Sequence, residues 1–217
     1  MKGLLVKDLK LVLVQKYIIL LVIGLASIMT ARSDDPVFGV AYMSFIGTLL
    51  ALMTISSDEA DHGNAFLFTL PISRKGYVAE KYLFGLLLGG ASWLTGTLIA
   101  LTVVLAKDSS QLLDMAEMTL LVLPLLFGML SLMFPFQLKF GGEKGRIVIV
   151  VVIGLVCLAG VGIQRVAGMF HIDLFVFWGK LLSLGMGAVT ALGIGAGLLA
   201  LFISYRISVT IMNKKEF

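Results

Sequence analysis

The segment Ser57–Lys81, SDEADHGNAFLFTLPISRKGYVAEK, is a long polar interruption in an otherwise strongly apolar chain. On each side of it stands an apolar run of about 20 residues, which is the length that a helix needs to cross a bilayer. The segment combines acids and bases with two phenylalanines, Phe66 and Phe68, and a proline, Pro71. We therefore predict two membrane spans joined by a loop. We expect a binding partner outside the lipid to hold this loop in place.

Composition supports an integral membrane protein. Of the 217 residues, 59% are hydrophobic and 14% are charged, whereas soluble domains carry about 25% charged residues. The net charge of +4 comes from short basic clusters beside apolar runs and not from a contiguous basic face, which argues against nucleic-acid binding. The single cysteine, Cys157, excludes a disulfide within the chain.

Apolar length predicts an all-α fold with six transmembrane helices in one membrane domain, 1–217. The predicted spans are Tyr17–Ala31, Val37–Ser57, Tyr82–Ala106, Met118–Phe136, Ile147–Gln164 and Leu181–Tyr205.

Basic residues predict the orientation of these spans, because cytoplasmic loops retain lysine and arginine. Thirteen of the 17 lysines and arginines fall in the N-terminal segment, the second and fourth loops and the C-terminal tail. We therefore predict a multi-pass protein of the cytoplasmic membrane with both termini in the cytoplasm.

Two segments outside the spans remain partly apolar. Residues 1–16, MKGLLVKDLKLVLVQK, alternate lysines with aliphatic residues, which fits either a basic flank of the first span or a helix lying in the membrane interface. The segment Gln164–Lys180 carries several aromatic residues. It fits an interfacial or re-entrant helix pair, which requires its backbone groups to be satisfied by protein.

Small and polar residues mark positions within the predicted spans. Gly85 and Gly89, and likewise Gly193 and Gly197, are four residues apart, a spacing that lets helices approach closely within one subunit or between two. The third span also carries polar or amphipathic side chains at mid-depth, which either line a substrate path or pack against neighbours: Ser92, Trp93, Thr95 and Thr97.

Ionisable residues are missing from the cores of the six predicted spans. Proton relays and ion sites of transporters use such residues, so the sequence argues against a carrier driven by protons. Energy has to enter from outside the membrane.

The run DEADH, Asp58–His62, suggests an ATPase motif or a metal site, and neither interpretation is supported. The chain has no phosphate-binding loop of the GxxxxGK[ST] type, and neighbouring ligands on one turn project in different directions. The HExxH and GxSxG motifs are also missing. We predict no catalytic residue and no metal site.

We interpret the loop as a docking surface, with a solvated loop as the alternative. On this interpretation Asp58, Glu59 and Asp61 start a short helix.

Two stretches carry a family resemblance: MKGLLVKDLKL at residues 1–11 and SSDEADHGNAFLFTLPISRKGYVAEKYL at residues 56–83. They resemble small bacterial ABC-2 type permeases, and among these the membrane subunits of exporters for amphipathic peptide toxins of the phenol-soluble-modulin type and of antimicrobial-peptide immunity systems. The resemblance covers the chain through its six-span layout, while its specific part is about forty residues.

The resemblance implies partners and roles. It implies two copies of a separate ATP-binding-cassette ATPase, which binds the ATP and Mg²⁺, and a second permease copy or paralogue in the membrane lipids. It implies an N-terminal interfacial helix at residues 1–16, a short cytoplasmic coupling helix between the second and third spans, within residues 58–81, and re-entrant helices before the last span. The implied coupling and hinge residues are Asp58, Glu59, Asp61, His62, Gly63, Asn64, Phe66, Phe68, Arg74, Lys75, Glu80 and Lys81.

We thus expect the permease half of an ATP-driven exporter that moves an amphipathic or hydrophobic substrate, such as a peptide or antimicrobial. A lipid-modifying membrane enzyme and a receptor or scaffold subunit without transport are the alternatives. An enzyme of that kind would need acids or histidines clustered at one interface, whereas the predicted outer acids are scattered between loops.

Overall fold

The structure is a computed structural model that describes residues 2–33, 35, 37–59, 72–107, 112–141, 154, 165 and 185–215. Across these ranges it contains helices and no strand. The helices are α1 (Lys2–Val14), α2 (Lys16–Arg32), α3 (Val37–Glu59), α4 (Arg74–Lys107), α5 (Leu112–Leu120), α6 (residues 122–141) and α7 (Met186–Lys214).

Four helical segments are long and apolar enough to cross a membrane: α3, α4, Met115–Gly141 (which joins α5 and α6) and α7. The pair α1 and α2 bends by 67° and would make a fifth if it counts as one span. The described residues thus give four or five spans where the sequence predicts six. Apart from the isolated residues 154 and 165, the predicted fifth span and the segment Gln164–Lys180 lie outside the described residues.

Helix α4 is longer than a bilayer requires. Its 34 residues extend about 51 Å at 1.5 Å per residue, against a hydrocarbon core of about 30 Å. Because the apolar run begins at Tyr82, the first two turns, Arg74 to Lys81, extend beyond the hydrocarbon. Helix α3 likewise continues past the predicted end at Ser57, as far as Glu59.

The helices pack around α4, which contacts α1, α2, α3, α5 and α7. Glycines bring α4 and α7 close to α6. A Cβ at Gly85 would lie 2.5 Å from the Phe134 ring, and one at Gly197 would lie 3.0 Å from Phe127. Gly89 faces Leu126 and Gly193 faces Pro124 in the same way. Helix packing within the chain is therefore confirmed as a role of these four glycines.

Several buried hydroxyl groups within the spans are satisfied by their own helices. Thr30 donates to the carbonyl of Ala26 at 2.7 Å, and Ser44 donates to that of Val40 at 2.8 Å. Such bonds to the preceding turn let serine and threonine sit in an apolar environment without an unpaired donor.

Candidate functional site

A buried cluster of charged residues lies where α1 meets α3 and α4. It consists of Lys7 and Asp8 from α1, Asp58 from α3, and Tyr77 and Lys81 from α4. We call this set the ion cluster. Its Asp8 and Lys81 are bonded although they are 73 residues apart in sequence, so the cluster ties three helices together at one end of the bundle.

Lys81 stands at the centre of the ion cluster. Its ammonium group is bonded to Asp8 and lies 2.7 Å from the Asp58 carboxylate. It also donates to the Thr54 hydroxyl at 3.3 Å. The side chains of Lys81 and Asp8 are 1% and 0% exposed. A buried ammonium is tolerated only when it is paired and hydrogen-bonded, and these contacts meet that requirement.

Lys7 and Tyr77 complete the coordination of Asp58. Lys7 is paired to one carboxylate oxygen, and the Tyr77 hydroxyl donates to the other at 3.0 Å. Partial burial lowers the pKa of Lys7, but the hydrogen bond and charge of Asp58, together with Asp8, outweigh it and raise the pKa above its usual value. Lys7 therefore remains charged, and Asp58 is held by three donors from two other helices.

Glu80 is a second buried acid beside the ion cluster. Its side chain belongs to the part of α4 that extends beyond the hydrocarbon. The residue is 1% exposed, and neither carboxylate oxygen has a hydrogen-bond partner among the residues that the structure describes. Burial raises its pKa to about 7, against an opposing contribution from Lys81. Glu80 thus binds a proton more readily than an exposed glutamate does.

A second set of contacts holds the end of α7 against α3 and α4. One guanidinium nitrogen of Arg74 donates to the carbonyls of Met212 and Asn213 at 2.9 Å and to that of Lys215 at 2.7 Å. Lys215 is paired with Glu59 and donates to the carbonyl of Leu138 at 3.1 Å. We call Glu59, Arg74 and Lys215 the tail clamp. It satisfies carbonyls that the end of a helix otherwise leaves without partners.

Uncharged polar contacts extend this end of the bundle toward α6. The Tyr82 hydroxyl bonds with the hydroxyls of Ser204 and, at 2.8 Å, Ser208 on α7. The Gln137 amide on α6 donates to Ser56 on α3 at 2.6 Å. Five helices are therefore joined by polar contacts at the same end.

One structural prediction for the loop is wrong. Asp58 and Glu59 do not start a short helix, because they form the last turn of α3. Carboxylates are unfavourable at the negative end of a helix dipole. The positive charges of three lysines from distant parts of the chain compensate for this unfavourable placement: Lys7, Lys81 and Lys215.

The remaining predicted coupling residues separate into two groups. Arg74, Glu80 and Lys81 lie in or beside the two sets of contacts, while Lys75 is exposed on α4. The others lie outside the described residues: Asp61, His62, Gly63, Asn64, Phe66 and Phe68.

The four candidates for a substrate path do not share one surface. Ser92 meets Gly47 of α3 closely, and the Trp93 indole donates to the carbonyl of Thr119 at 2.9 Å. Thr97 is half-buried and Thr95 is exposed. Ser92 and Trp93 therefore pack between helices.

Sequence reasoning missed the partners that make these sites. From the sequence, Lys7 and Asp8 belong only to a basic flank or an interfacial helix, and Lys215 belongs only to the C-terminal tail. One signal was available, because Asp8 is the single acid among four lysines in residues 1–16. A lone acid in a basic segment suggests a specific partner for it.

Comparison with known proteins identifies one family. Residues 3–213 match the family model described as ABC-2 family transporter protein. No curated protein and no solved structure matches the chain.

Proposed function

We infer that this chain, which belongs to the ABC-2 family of transporter proteins, is the permease half of an ATP-driven exporter. Membership makes it a multi-pass membrane component of a transporter that associates with an ABC ATPase. We propose that two ATPase subunits serve a pair of permeases, this chain with a second copy or a paralogue, in a bacterial cytoplasmic membrane. The cargo is an amphipathic or hydrophobic peptide, and both termini face the cytoplasm.

The proposed coupling mechanism is supported by the contacts at the two ends of the loop, residues 60–71. Residues 60–71 follow Glu59 directly and precede Arg74 by two residues. Glu59 and Arg74 both contact the end of α7, and Asp58 is bonded to α1 and α4. A force on the loop is therefore transmitted to four helices through ion pairs, and not to the two adjacent helices alone. Packed helices that move as units are a known means of such transmission.

This arrangement divides the predicted coupling residues by role. Asp58 is 4% exposed and bonded within the chain, so it is a poor partner for a basic group on the ATPase. We propose that Asp61, Phe66 and Phe68 provide the docking contact, because apolar anchors beside charge concentrate binding energy. Asp58, Glu59, Arg74 and Lys81 then transmit the movement.

Docking and transmission are separable by experiment. The variant Asp61→Ala/Phe66→Ala/Phe68→Ala is expected to lose co-purification with the ATPase subunit. Lys107→Ala, an exposed position at the opposite end of α4, serves as the control and is expected to retain it. Full retention by the triple variant would overturn the docking assignment.

Transmission is tested with the paired variant Asp58→Asn/Lys81→Met. It is expected to bind the ATPase as the wild type does but to lose substrate-stimulated ATP hydrolysis in proteoliposomes. Stimulation at the wild-type level would show that the ion cluster does not transmit the movement.

Direction and cargo need a transport assay. Inverted vesicles that contain both subunits are expected to accumulate an amphipathic helical peptide when ATP is supplied, but not a scrambled peptide of the same composition. Uptake of neither peptide, with intact ATP hydrolysis, would contradict the proposal.

Among the candidates for the substrate path we retain Thr95, because it is exposed on α4. Thr95→Trp is expected to slow transport more than Leu94→Trp, which is also exposed.

Orientation has its own test. After Cys157→Ser, a single cysteine at Asn64 is expected to resist a membrane-impermeant thiol reagent added to intact cells. A cysteine at Ser110 is expected to react with it. The reverse pattern would overturn the predicted topology.

A further inference from the structure

A half-open cavity lies where the bend between α1 and α2 meets α3. Its volume is about 140 Å³, close to that of engineered apolar cavities of about 150 Å³ that bind benzene. Leu11, Val12, Val14, Leu50 and Met53 provide most of its walls, and the polar groups are those of Gln15, Thr54 and Ser57. The cavity therefore has room for a short stretch of hydrocarbon.

The position of Val14 shows where the cavity opens. Val14 lines the cavity and is also 78% exposed. Leu9 and Leu13 on the neighbouring face of α1 are about half exposed, at 49% and 55%. In a membrane protein such apolar side chains face acyl chains. The mouth at Val14 thus opens beside an exposed apolar surface of the kind that acyl chains cover.

Two lysines flank this mouth. Lys10 is four residues before Val14, which places the two side chains on the same face of α1. Lys16 directly follows the wall residue Gln15. Both lysines are exposed, and neither is ion-paired to an acid within the described ranges. Lys16 lies 5.3 Å from the centre of the Tyr17 ring, an arrangement typical of a membrane interface.

The backbone adds to the attraction for an anion. Helix α2 begins at Lys16, and Gln15 before it makes no capping hydrogen bond with its side chain. The Gln15 amide instead donates to the sulfur of Met53 at 3.0 Å, which is a weak acceptor. The first N–H groups of a helix attract negative charge. They add to the charges of Lys10 and Lys16 at the same place.

We propose that this cavity binds an anionic phospholipid. One acyl chain enters between α1 and α3 past Val14, and the phosphate lies against Lys10, Lys16 and the start of α2. A zwitterionic lipid offers the same hydrocarbon but carries a balancing cation near its phosphate, so the site prefers a headgroup with net negative charge.

Native mass spectrometry of the purified full-length chain in detergent tests this proposal. The probes are phosphatidylglycerol and phosphatidylcholine with identical acyl chains, supplied at equal concentration. We expect one tightly retained phosphatidylglycerol per chain. We expect its preference over phosphatidylcholine to fall about fivefold for each lysine removed in Lys10→Gln and Lys16→Gln. Lys107→Gln, an exposed lysine at the far end of α4, is the matched control and is expected to leave the preference unchanged.

The acyl chain is tested separately from the headgroup. Leu50→Trp fills the cavity and is expected to reduce retention of both lipids, whereas Leu198→Trp, on the exposed side of α7, is not. The lysine variants change exposed positions only, so they give an answer even if Leu50→Trp folds poorly. Glycerol phosphate alone is expected not to compete with the lipid.

Several results would overturn the proposal. These are equal retention of the two lipids, full competition by glycerol phosphate, or no effect of a folded Leu50→Trp chain. A change from dimer to monomer in Leu50→Trp with lipid retention unchanged would assign the cavity to a second copy instead. Displacement by an amphipathic peptide but not by lipid would assign it to the cargo.

Discussion

The ammonium group of Lys81 lies 2.7 Å from the carboxylate of Asp58, and the two side chains are 1% and 4% exposed. The pair joins the end of α3 to the start of α4, on either side of the loop that is proposed to contact the ATPase. Breaking a buried pair leaves an uncompensated charge, which costs more than the pair itself contributes. The integrity of this end of the bundle therefore depends on Lys81.

Replacing Lys81 is expected to destabilise the protein strongly. Lys81→Met removes the more deeply buried of the two lysines that contact both Asp8 and Asp58, a loss of up to about 3–5 kcal/mol for a buried pair. Thermal unfolding in detergent, followed by tryptophan fluorescence, measures the effect. The control is Lys75→Met, an exposed lysine on the same helix, with an expected change of less than about 0.5 kcal/mol. Equal effects of the two variants would show that the ion cluster contributes nothing specific.

A double-mutant cycle isolates the contact between Lys81 and Asp8. Asp8→Asn combined with Lys81→Met removes both charges, so part of the loss is expected to be recovered, giving a coupling energy of about 0.5–3 kcal/mol. Additive losses would mean that the two residues do not interact in the membrane-embedded protein.

Glu80 is expected to make stability depend on pH. Its pKa is raised to about 7 in the folded chain from a usual value of 4.5. The folded state therefore binds more protons than the unfolded state between these values, and the free energy of unfolding falls as pH rises from about 4.5 to about 7. Glu80→Gln is expected to unfold at a higher temperature than the wild type at pH 8 and to show a smaller difference at pH 5. The control is Glu117→Gln, an exposed acid on α5. A wild-type advantage at pH 8 would contradict the assignment.

Arg74 is expected to hold the last turn of α7. One terminal nitrogen of Arg74 donates to the carbonyls of Met212, Asn213 and Lys215, and it lies further from the backbone than the ammonium of a lysine reaches, so Arg74→Lys is expected to weaken these bonds. Amide hydrogen exchange of peptides that cover residues 209–215 is expected to become faster. Arg206→Lys, at an exposed position on the same helix, is expected to leave it unchanged. Unchanged exchange in Arg74→Lys would mean that the tail clamp does not order this turn.

Replacing each of two glycines of α4 by alanine is expected to change the stability of the protein differently. A methyl group at Gly85 would lie 2.5 Å from the Phe134 ring, whereas nothing lies within 4 Å at Gly90. Gly85→Ala is expected to lower stability by about 1–3 kcal/mol through overpacking. Gly90→Ala is expected to leave it unchanged or raise it by up to about 1 kcal/mol, because alanine favours the helix. Thermal unfolding compares the two, and equal shifts would contradict the packing of α4 on α6.

The sequence determined the membrane character, the approximate positions of four spans and the glycine contacts. Each of these depends on local pattern: the length of an apolar run, the spacing of small residues along one helix, or the place where charge interrupts the run. Helix ends were less predictable. Dipole reasoning put Asp58 and Glu59 at the start of a helix, yet they end α3, because lysines from elsewhere in the chain compensate for their charge there.

The pairing of Asp8 with Lys81, 73 residues away, was decided by the tertiary structure. The tertiary structure also decided the contact of Lys215 with Glu59 and the cavity between α1 and α3. Charge pattern shows that an acid needs a cation, but not which of 17 lysines and arginines supplies it. That choice depends on which helices pack together, and the energy of a buried pair depends on burial that only the packed bundle creates.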